Sequence, residues 1–242
     1  MRKIFFIAVV FTLLVSCGKT IDNPAANPTD KLSNNWWKER HEMVIEKNKS
    51  NPQLILLGNS ILNTLDNKDR EVVWGKYLNK YNTVNMGFSG DRTENLIWRL
   101  QNGEIDKISP KVALLLIGTN NTDGNHYLDV TQPEELAGGI WEICKIVREK
   151  LPDTEILLLG IFPYGYKPNY RDNINKATNK IIARFPTKDT HINYRNIGDI
   201  FVDDNKNVMK SLMPDYLHPN TEGHLLMFET IKNDIEKLMK QK

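Results

Sequence analysis

The 242-residue chain has little cysteine, almost no surplus of charge, and no apolar run long enough to cross a bilayer. Its two cysteines, Cys17 and Cys144, form no C-x-x-C pair and are too few for a disulfide framework. The net charge of +2 gives no electrostatic reason to expect a nucleic acid partner. The Gly-x-Gly-x-x-Gly and Gly-x-x-x-x-Gly-Lys-Ser/Thr patterns are absent, and the histidines show no metal-ligand spacing. We therefore expect no cofactor and no metal.

The first apolar run follows two basic residues and covers Ile4–Val15, interrupted by one threonine. A basic start, an apolar stretch of about a dozen residues and small residues at its end are typical of a secretory signal. The final residues Leu14–Cys17 resemble the lipobox of bacterial lipoproteins, in which the cysteine is lipid-modified. We predict a signal peptide over residues 1–16, lipidation of Cys17, and an exported protein that its lipid anchors to a bacterial envelope membrane. Plain secretion with an unmodified cysteine is the alternative.

The segment after this cysteine is rich in Gly, Pro, Asn and Asp and shows no apolar periodicity. Such a composition buries too little apolar surface to offset chain entropy, so residues 17–34 are predicted to be the lipidated Cys and a flexible tether. Residues 35–242 then form one domain, a usual size for a single α/β unit. The signal peptide contains two basic side chains and no acidic one, so the remaining chain is formally neutral.

Within the domain, short apolar runs alternate with amphipathic stretches, and most of the runs are continuously apolar, as in parallel strands covered on both faces. This alternation predicts an open, mostly parallel sheet between two helical layers. The predicted strands centre on Leu54–Leu57, Val84, Val112–Ile117, Ile156–Leu159 and Ile192–Tyr194. The predicted helices cover Trp36–Lys47, Glu94–Gln101, Glu134–Glu149, Asn173–Arg184 and Thr221–Met239, the second with a capped start at Asp91–Glu94.

Polar residues cluster where the predicted strands end and just before the last helix, all on one rim of the sheet. Ser60 is the candidate nucleophile, His218 the base, and Asp215 the carboxylate that orients the imidazole. The Gly90 backbone N–H and the Asn120 side-chain amide are candidate donors to an oxyanion. Each residue alone also fits a helix cap or a turn. Their order and common placement favour an acyl-transfer site.

Several segments in this order resemble the SGNH (GDSL-type) hydrolases, and within them the catalytic subunits of platelet-activating-factor acetylhydrolase. The resemblance extends over about Asn35–Leu238. The segments that carry it are Trp37–His41, Arg99–Glu104, Gly118–Asn121, Gly160–Pro163 with Lys167–Asn169 followed by Arg171, Asn173 and Asn175, and Met213–His218.

The resemblance implies a three-layer α/β/α sandwich with a five-stranded, mostly parallel sheet of the flavodoxin-like type. It implies a serine esterase that removes a small acyl group, acetyl being expected, with a Ser60–His218–Asp215 triad. The oxyanion hole would then consist of the backbone N–H groups of Ser60 and Gly90 and the Asn120 side chain. Pairing into a homodimer, as in the acetylhydrolase subunits, stays open.

Two positions depart from the family pattern. Asn59 replaces the usual Asp of the Gly-Asp-Ser block, and Tyr164 stands where the acetylhydrolase subunits carry Arg. Asn59, Tyr164 and Tyr166 are therefore candidate substrate-contacting residues. The loop with Phe162 and Tyr170 presents either an aromatic edge for sugar or acyl groups or residues that pack on the core.

The expected substrate is an O-acetylated carbohydrate outside the cytoplasm. A lysophospholipid or another lipid ester is an alternative substrate. From another class, the alternative is a lipid-anchored glycan-binding protein that keeps the fold with little turnover.

Overall fold

The computed structural model describes residues 23–127 and 129–241. Its strands form one five-stranded sheet in the order β2-β1-β3-β4-β5, and every neighbouring pair is parallel. The order reverses at β1, so the loops that follow β1 and β3 diverge and leave a crevice at the carboxyl ends of the strands. The strands are β1 Leu54–Gly58, β2 Val84–Gly87, β3 Val112–Leu116, β4 Glu155–Leu159 and β5 Ile192–Arg195.

Helices connect the strands and form the two outer layers. Within the part of the chain that the structure describes, five of them are long, and two short ones, α2 and α3, lie between β1 and β2. The helices are α1 Asn35–Lys47, α2 Ser60–Asn63, α3 Glu71–Val73, α4 Thr93–Gln101, α5 Pro133–Lys150, α6 Tyr170–Ile182 and α7 Thr221–Leu238.

The core has two halves because successive strand residues point to opposite faces of the sheet. Ile55, Ala113 and Leu115 face the layer that contains α1, α4, α5 and α6. Leu56 and Leu114 face the layer formed by α7 and the segment around α3. Burial on both faces explains why the strands are continuously apolar.

The predicted three-layer α/β/α fold is confirmed, with a sheet that is wholly parallel. Predicted and observed strand bounds differ by a residue or so. The largest helix difference is at α6, which begins at Tyr170 rather than Asn173 because the Asn169 side chain caps it by accepting from the Arg171 N–H. Between β1 and β2 the sequence pattern predicted a strand-to-helix turn at Ser60 without a helix range, and the structure has α2, α3 and several short turns.

Residues 23–34, predicted to belong to a flexible tether, pack against the domain, and we call them the N-terminal strap. Ala25 is fully buried, and its carbonyl accepts a hydrogen bond from Thr93 Oγ1 at 2.7 Å. The Thr29 carbonyl accepts from Asn95 Nδ2 at 2.9 Å. The tether prediction is wrong for these residues because polar side chains distant in sequence hold them, and local composition does not register such contacts.

The predicted signal peptide, Cys17 and the first part of the tether lie outside the described residues. Among the residues that the structure describes, no helix combines the length and the apolar character that crossing a bilayer would require.

Candidate active site

Ser60 stands at the turn from β1 into α2. Asn59 caps this helix through its Oδ1 atom, which accepts from the Ile61 N–H at 3.0 Å. The helix lies close against β2 at Gly87, where an added Cβ would come within 2.8 Å of the Leu62 carbonyl carbon. Glycine at that position thus lets α2 bring Ser60 to the rim of the sheet.

Ser60, His218 and Asp215 form a chain of hydrogen bonds, although 158 residues separate Ser60 from His218. His218 Nε2 lies 2.8 Å from Ser60 Oγ, and His218 Nδ1 lies 2.6 Å from Asp215 Oδ2. A carboxylate only accepts hydrogen bonds, so the proton is on Nδ1 and Nε2 is free to accept from the serine hydroxyl. This is the arrangement that a serine nucleophile and its general base require.

Hydrogen bonds within its own loop keep the Asp215 carboxylate ionised and in place. Partial burial would raise the pKa of its carboxyl, but hydrogen bonds from the side chain and backbone of His218 outweigh it and hold the pKa below its ordinary value. Oδ1 accepts from the backbone N–H groups of His218 at 2.7 Å and Leu217 at 3.1 Å. Asp215 therefore stays ionised while it faces the imidazole.

The candidate oxyanion donors lie just after the carboxyl ends of β1, β2 and β3. Ser60 is the first residue of α2, so its N–H has no carbonyl one turn earlier in the helix. Gly90 adopts a φ of +77° in the loop after β2. Asn120 follows β3, and its Nδ2 donates to the Asp91 carbonyl at 2.9 Å, which leaves the second amide hydrogen for another acceptor. Three donors of this kind suit an anion that develops beside Ser60.

A buried ionic network holds Asp91, the residue that follows Gly90 in the loop after β2. Asp91 accepts from Trp37 Nε1 and from Arg99 Nε, both at 2.8 Å. The Arg99 guanidinium also pairs with Glu104, and all three charged side chains are fully buried. Burial raises the pKa of Asp91, opposed by the nearby cations Arg99 and Lys31. The sequence pattern predicted Asp91 to cap α4, but the Asn95 side chain accepts from the Arg92 N–H at that end instead.

His224 and Arg70 support the nucleophile and the base from α7 and the segment before α3. His224 Nε2 donates to the Ile61 carbonyl at 2.9 Å, and its Nδ1 accepts from Arg70 Nε at 3.3 Å. Arg70 Nη2 also donates to the Pro219 carbonyl at 3.1 Å. The sequence pattern did not assign either residue to the site. The one feature that could have indicated them is that each is a polar residue at a position where the periodicity of its segment is otherwise apolar.

The predicted substrate-contacting residues divide into two groups. Asn59 is 1% exposed and its Oδ1 serves as the cap of α2, so contact of Asn59 with substrate stays a prediction. Phe162 is buried against Phe201, with ring centroids 4.8 Å apart, and does not belong to an aromatic edge. Tyr164 is half-buried beneath the Arg171 guanidinium, which lies 3.5 Å from its ring centroid.

Tyr166 is 54% exposed and is joined to the loop of the candidate base. Its ring centroid lies 5.6 Å from that of Tyr216, the residue after Asp215. The Gly165 N–H donates to the Tyr216 carbonyl at 2.9 Å. Of the predicted contacts, Tyr166 is thus the one that offers an open aromatic surface beside the triad.

Arg171 is a further residue that the sequence pattern did not assign to the site. Its guanidinium is buried and donates to the Thr119 carbonyl at 2.8 Å, next to Asn120. It thereby ties the start of α6 to the loop that presents the candidate oxyanion amide.

No group of three or more metal-binding side chains comes together among residues 23–127 and 129–241. Cys144 is buried in α5, and burial raises the pKa of its thiol to about 12, which leaves it inert as a nucleophile.

This fold, with a serine, an imidazole and a carboxylate at its switch point, defines a class of carboxylic ester hydrolases, the SGNH type. The model of the GDSL-like lipase/acylhydrolase family matches residues 56–226, more than half of the chain, and the chain belongs to that family.

Individual relatives agree with this placement. The chain is 25% identical to the alpha1 subunit of platelet-activating factor acetylhydrolase IB from Bos taurus, over 91% of this chain and 92% of the relative. It superposes on a GDSL-like lipase from Bacteroides thetaiotaomicron with a TM-score of 0.63 at 20% identity, covering 81% of this chain and 97% of the other. An acetyl xylan esterase superposes with a TM-score of 0.63 at 16% identity, over 75% and 98% of the two chains.

Proposed function

We propose that the protein is a serine esterase that hydrolyses acetyl or similarly small acyl esters through a covalent acyl-enzyme. The observation that carries the proposal is the hydrogen-bonded chain Ser60–His218–Asp215, with distances of 2.8 and 2.6 Å. It coincides with the placement of Asn120 and Gly90 on the facing loops.

In the proposed reaction, Ser60 Oγ attacks the ester carbonyl while His218 Nε2 takes the hydroxyl proton. The carbonyl oxygen becomes an oxyanion that accepts from the Ser60 and Gly90 N–H groups and from Asn120. The tetrahedral intermediate collapses, the ester C–O bond breaks, and the imidazolium returns its proton to the leaving alcohol. Water then attacks the acyl-Ser60 ester in the same way, which releases the acid and restores the hydroxyl. Asp215 stabilises the imidazolium in both halves of the cycle.

For the alcohol half we propose an O-acetylated carbohydrate. Tyr166 supplies an exposed aromatic face next to the triad loop, and aromatic faces pack well against sugar rings. The formally neutral domain provides no long-range attraction for a charged substrate. The similarity in fold to an acetyl xylan esterase is compatible with this substrate class. A lipid acetyl ester is the second candidate, favoured by the similarity to the acetylhydrolase alpha1 subunit.

We further propose that lipidated Cys17 holds the enzyme on an envelope membrane of a bacterium. The proposal rests on the sequence Leu14–Cys17 at the end of the apolar run. Intact mass of the protein extracted from membranes should exceed that of the chain 17–242 by the mass of the attached lipid. A Cys17→Ser variant should lose this mass and leave the membrane fraction. Unchanged fractionation of the variant would contradict the anchor.

The esterase proposal is tested by hydrolysis of p-nitrophenyl acetate. Ser60→Ala should reduce kcat to the level of the uncatalysed reaction, and the exposed Ser211→Ala is the matched control that should keep wild-type rates. If wild type and Ser60→Ala are equally slow, the esterase proposal is wrong and glycan binding without turnover becomes the better explanation. Butyrate and octanoate esters then rank acyl length, and acetylated xylan against a lipid acetyl ester ranks the alcohol half.

A further inference from the structure

We propose that Lys31 of the N-terminal strap is a positioning residue for the oxyanion site, which fixes the Gly90–Asp91 peptide and thereby the place of Gly90 in the loop after β2. The inference rests on the proposed esterase function and adds a residue to it. It makes the strap, rather than the α/β domain alone, part of the catalytic apparatus.

The turn that contains Gly90 is not fixed by its own residues alone. Phe88–Asp91 is a turn closed by the hydrogen bond from the Asp91 N–H to the Phe88 carbonyl at 3.2 Å. A φ of +77° at Gly90, the third position, corresponds to a type II turn. Because glycine is conformationally free, contacts outside the turn have to fix where this stretch of backbone lies.

Two donors meet at the Gly90 carbonyl oxygen and fix the peptide that joins Gly90 to Asp91. Lys31 Nζ lies 2.7 Å from this oxygen and Tyr127 Oη lies 2.6 Å from it. Lys31 Nζ also lies 3.5 Å from Asp91 Oδ1, so its charge partly balances that buried carboxylate. Burial lowers the pKa of Lys31, and Asp91 acts in the opposite direction, as expected for an ammonium inside the protein.

Hydrogen bonds to α4 fix the strap, and this fixes the position of Lys31. The Thr29 N–H donates to the Glu94 carbonyl at 3.1 Å, and Asn95 Nδ2 donates to the Thr29 carbonyl at 2.9 Å. The next carbonyl along the turn, that of Asp91, accepts from Asn120 Nδ2. Consecutive carbonyls at Gly90 and Asp91 are thus held by the strap and by the Asn120 amide, so both oxyanion donors depend on one short stretch of backbone.

The test compares Lys31→Met with Lys31→Arg, with the exposed Lys38→Met on α1 as the matched control. A small displacement of one oxyanion donor should lower kcat for p-nitrophenyl acetate by about tenfold in Lys31→Met. The KM should change less than the kcat, because the oxyanion forms only in the transition state. Lys31→Arg should recover most of the rate, and Lys38→Met should match wild type.

A second readout separates positioning from a general loss of structure. Ethylboronic acid forms a tetrahedral adduct with the active serine, so its inhibition constant should weaken in parallel with kcat in Lys31→Met. Assays are run well below the melting temperature of each variant. Should Lys31→Met fail to fold, Lys31→Gln and Tyr127→Phe address the same carbonyl, and wild-type kcat in both would overturn the inference. Wild-type kcat in Lys31→Met together with an inactive Ser60→Ala would overturn it while leaving the esterase proposal intact.

Discussion

The buried histidine behind the nucleophile should make the protein sensitive to mild acid. His224 is 0% exposed and is neutral, because its Nδ1 accepts from Arg70 while its Nε2 donates to the Ile61 carbonyl. Burial lowers the pKa of His224 to about 4, and the Arg70 guanidinium acts in the same direction. Protonation would turn an N–H towards the guanidinium and remove the acceptor that Arg70 uses.

The sign and size of the effect follow from linkage. The folded-state pKa lies below the ordinary value of about 6.5, so the unfolded chain binds the proton more readily. The stability contributed by neutral His224 is therefore complete above pH 6.5 and is lost as the pH falls from 6.5 towards 4. The full loss amounts to about 3 kcal/mol, of which about 2 kcal/mol has gone at pH 5.

The assay is urea unfolding at pH 7 and pH 5 for the wild type and for His224→Gln, whose amide keeps a donor and an acceptor without titrating. The free energy of unfolding should fall by about 2 kcal/mol more in the wild type than in the variant. His126→Gln, at a histidine whose side chain is 78% exposed, is the control and should behave as wild type. Equal pH dependence in the wild type and His224→Gln would refute the reasoning. If the variant does not fold, an NMR titration of the His224 ring in the wild type measures its pKa directly, and the expected value is about 4.

Three further predictions concern residues of the site and its support. Asn120→Ala should reduce kcat for p-nitrophenyl acetate by about 10²–10³-fold in steady-state assays, and a loss under threefold would exclude its side chain from the oxyanion hole. Asn59→Asp should keep the helix cap, whereas Asn59→Ala should lose about 1 kcal/mol of unfolding free energy in urea, and equal stability of the two would contradict the capping role. Arg99→Met leaves two buried carboxylates without their shared partner and should cost about 3–5 kcal/mol by the same measurement. A cost below 1 kcal/mol would mean that the carboxylates are neutral.

The fold was largely predictable because its determinants are local. Each apolar run ends in a glycine or a polar turn, as β1 does at Gly58, and these runs became the strands of the sheet. The same strand ends predicted which candidate site residues lie at the carboxyl edge of the sheet. Predictions failed where the partner of a residue lies outside the short segment from which the pattern was read. The strap contacts α4, and Asp91, expected to cap that helix, pairs with Arg99 and Trp37 instead.

The sequence by itself determined the α/β class, the order of the strands along the chain, and the candidate residues Ser60, His218 and Asp215. These follow from hydrophobic periodicity and from the positions of polar residues at strand ends, which are properties of short segments. Only the tertiary structure decided that Ser60 Oγ lies 2.8 Å from His218 Nε2, that Asn59 is a cap, and that Lys31 reaches the Gly90 carbonyl. The physical reason is that hydrogen bonds depend on ångström-scale distances between segments far apart in the chain, and packing of the whole sheet and its two helical layers sets those distances.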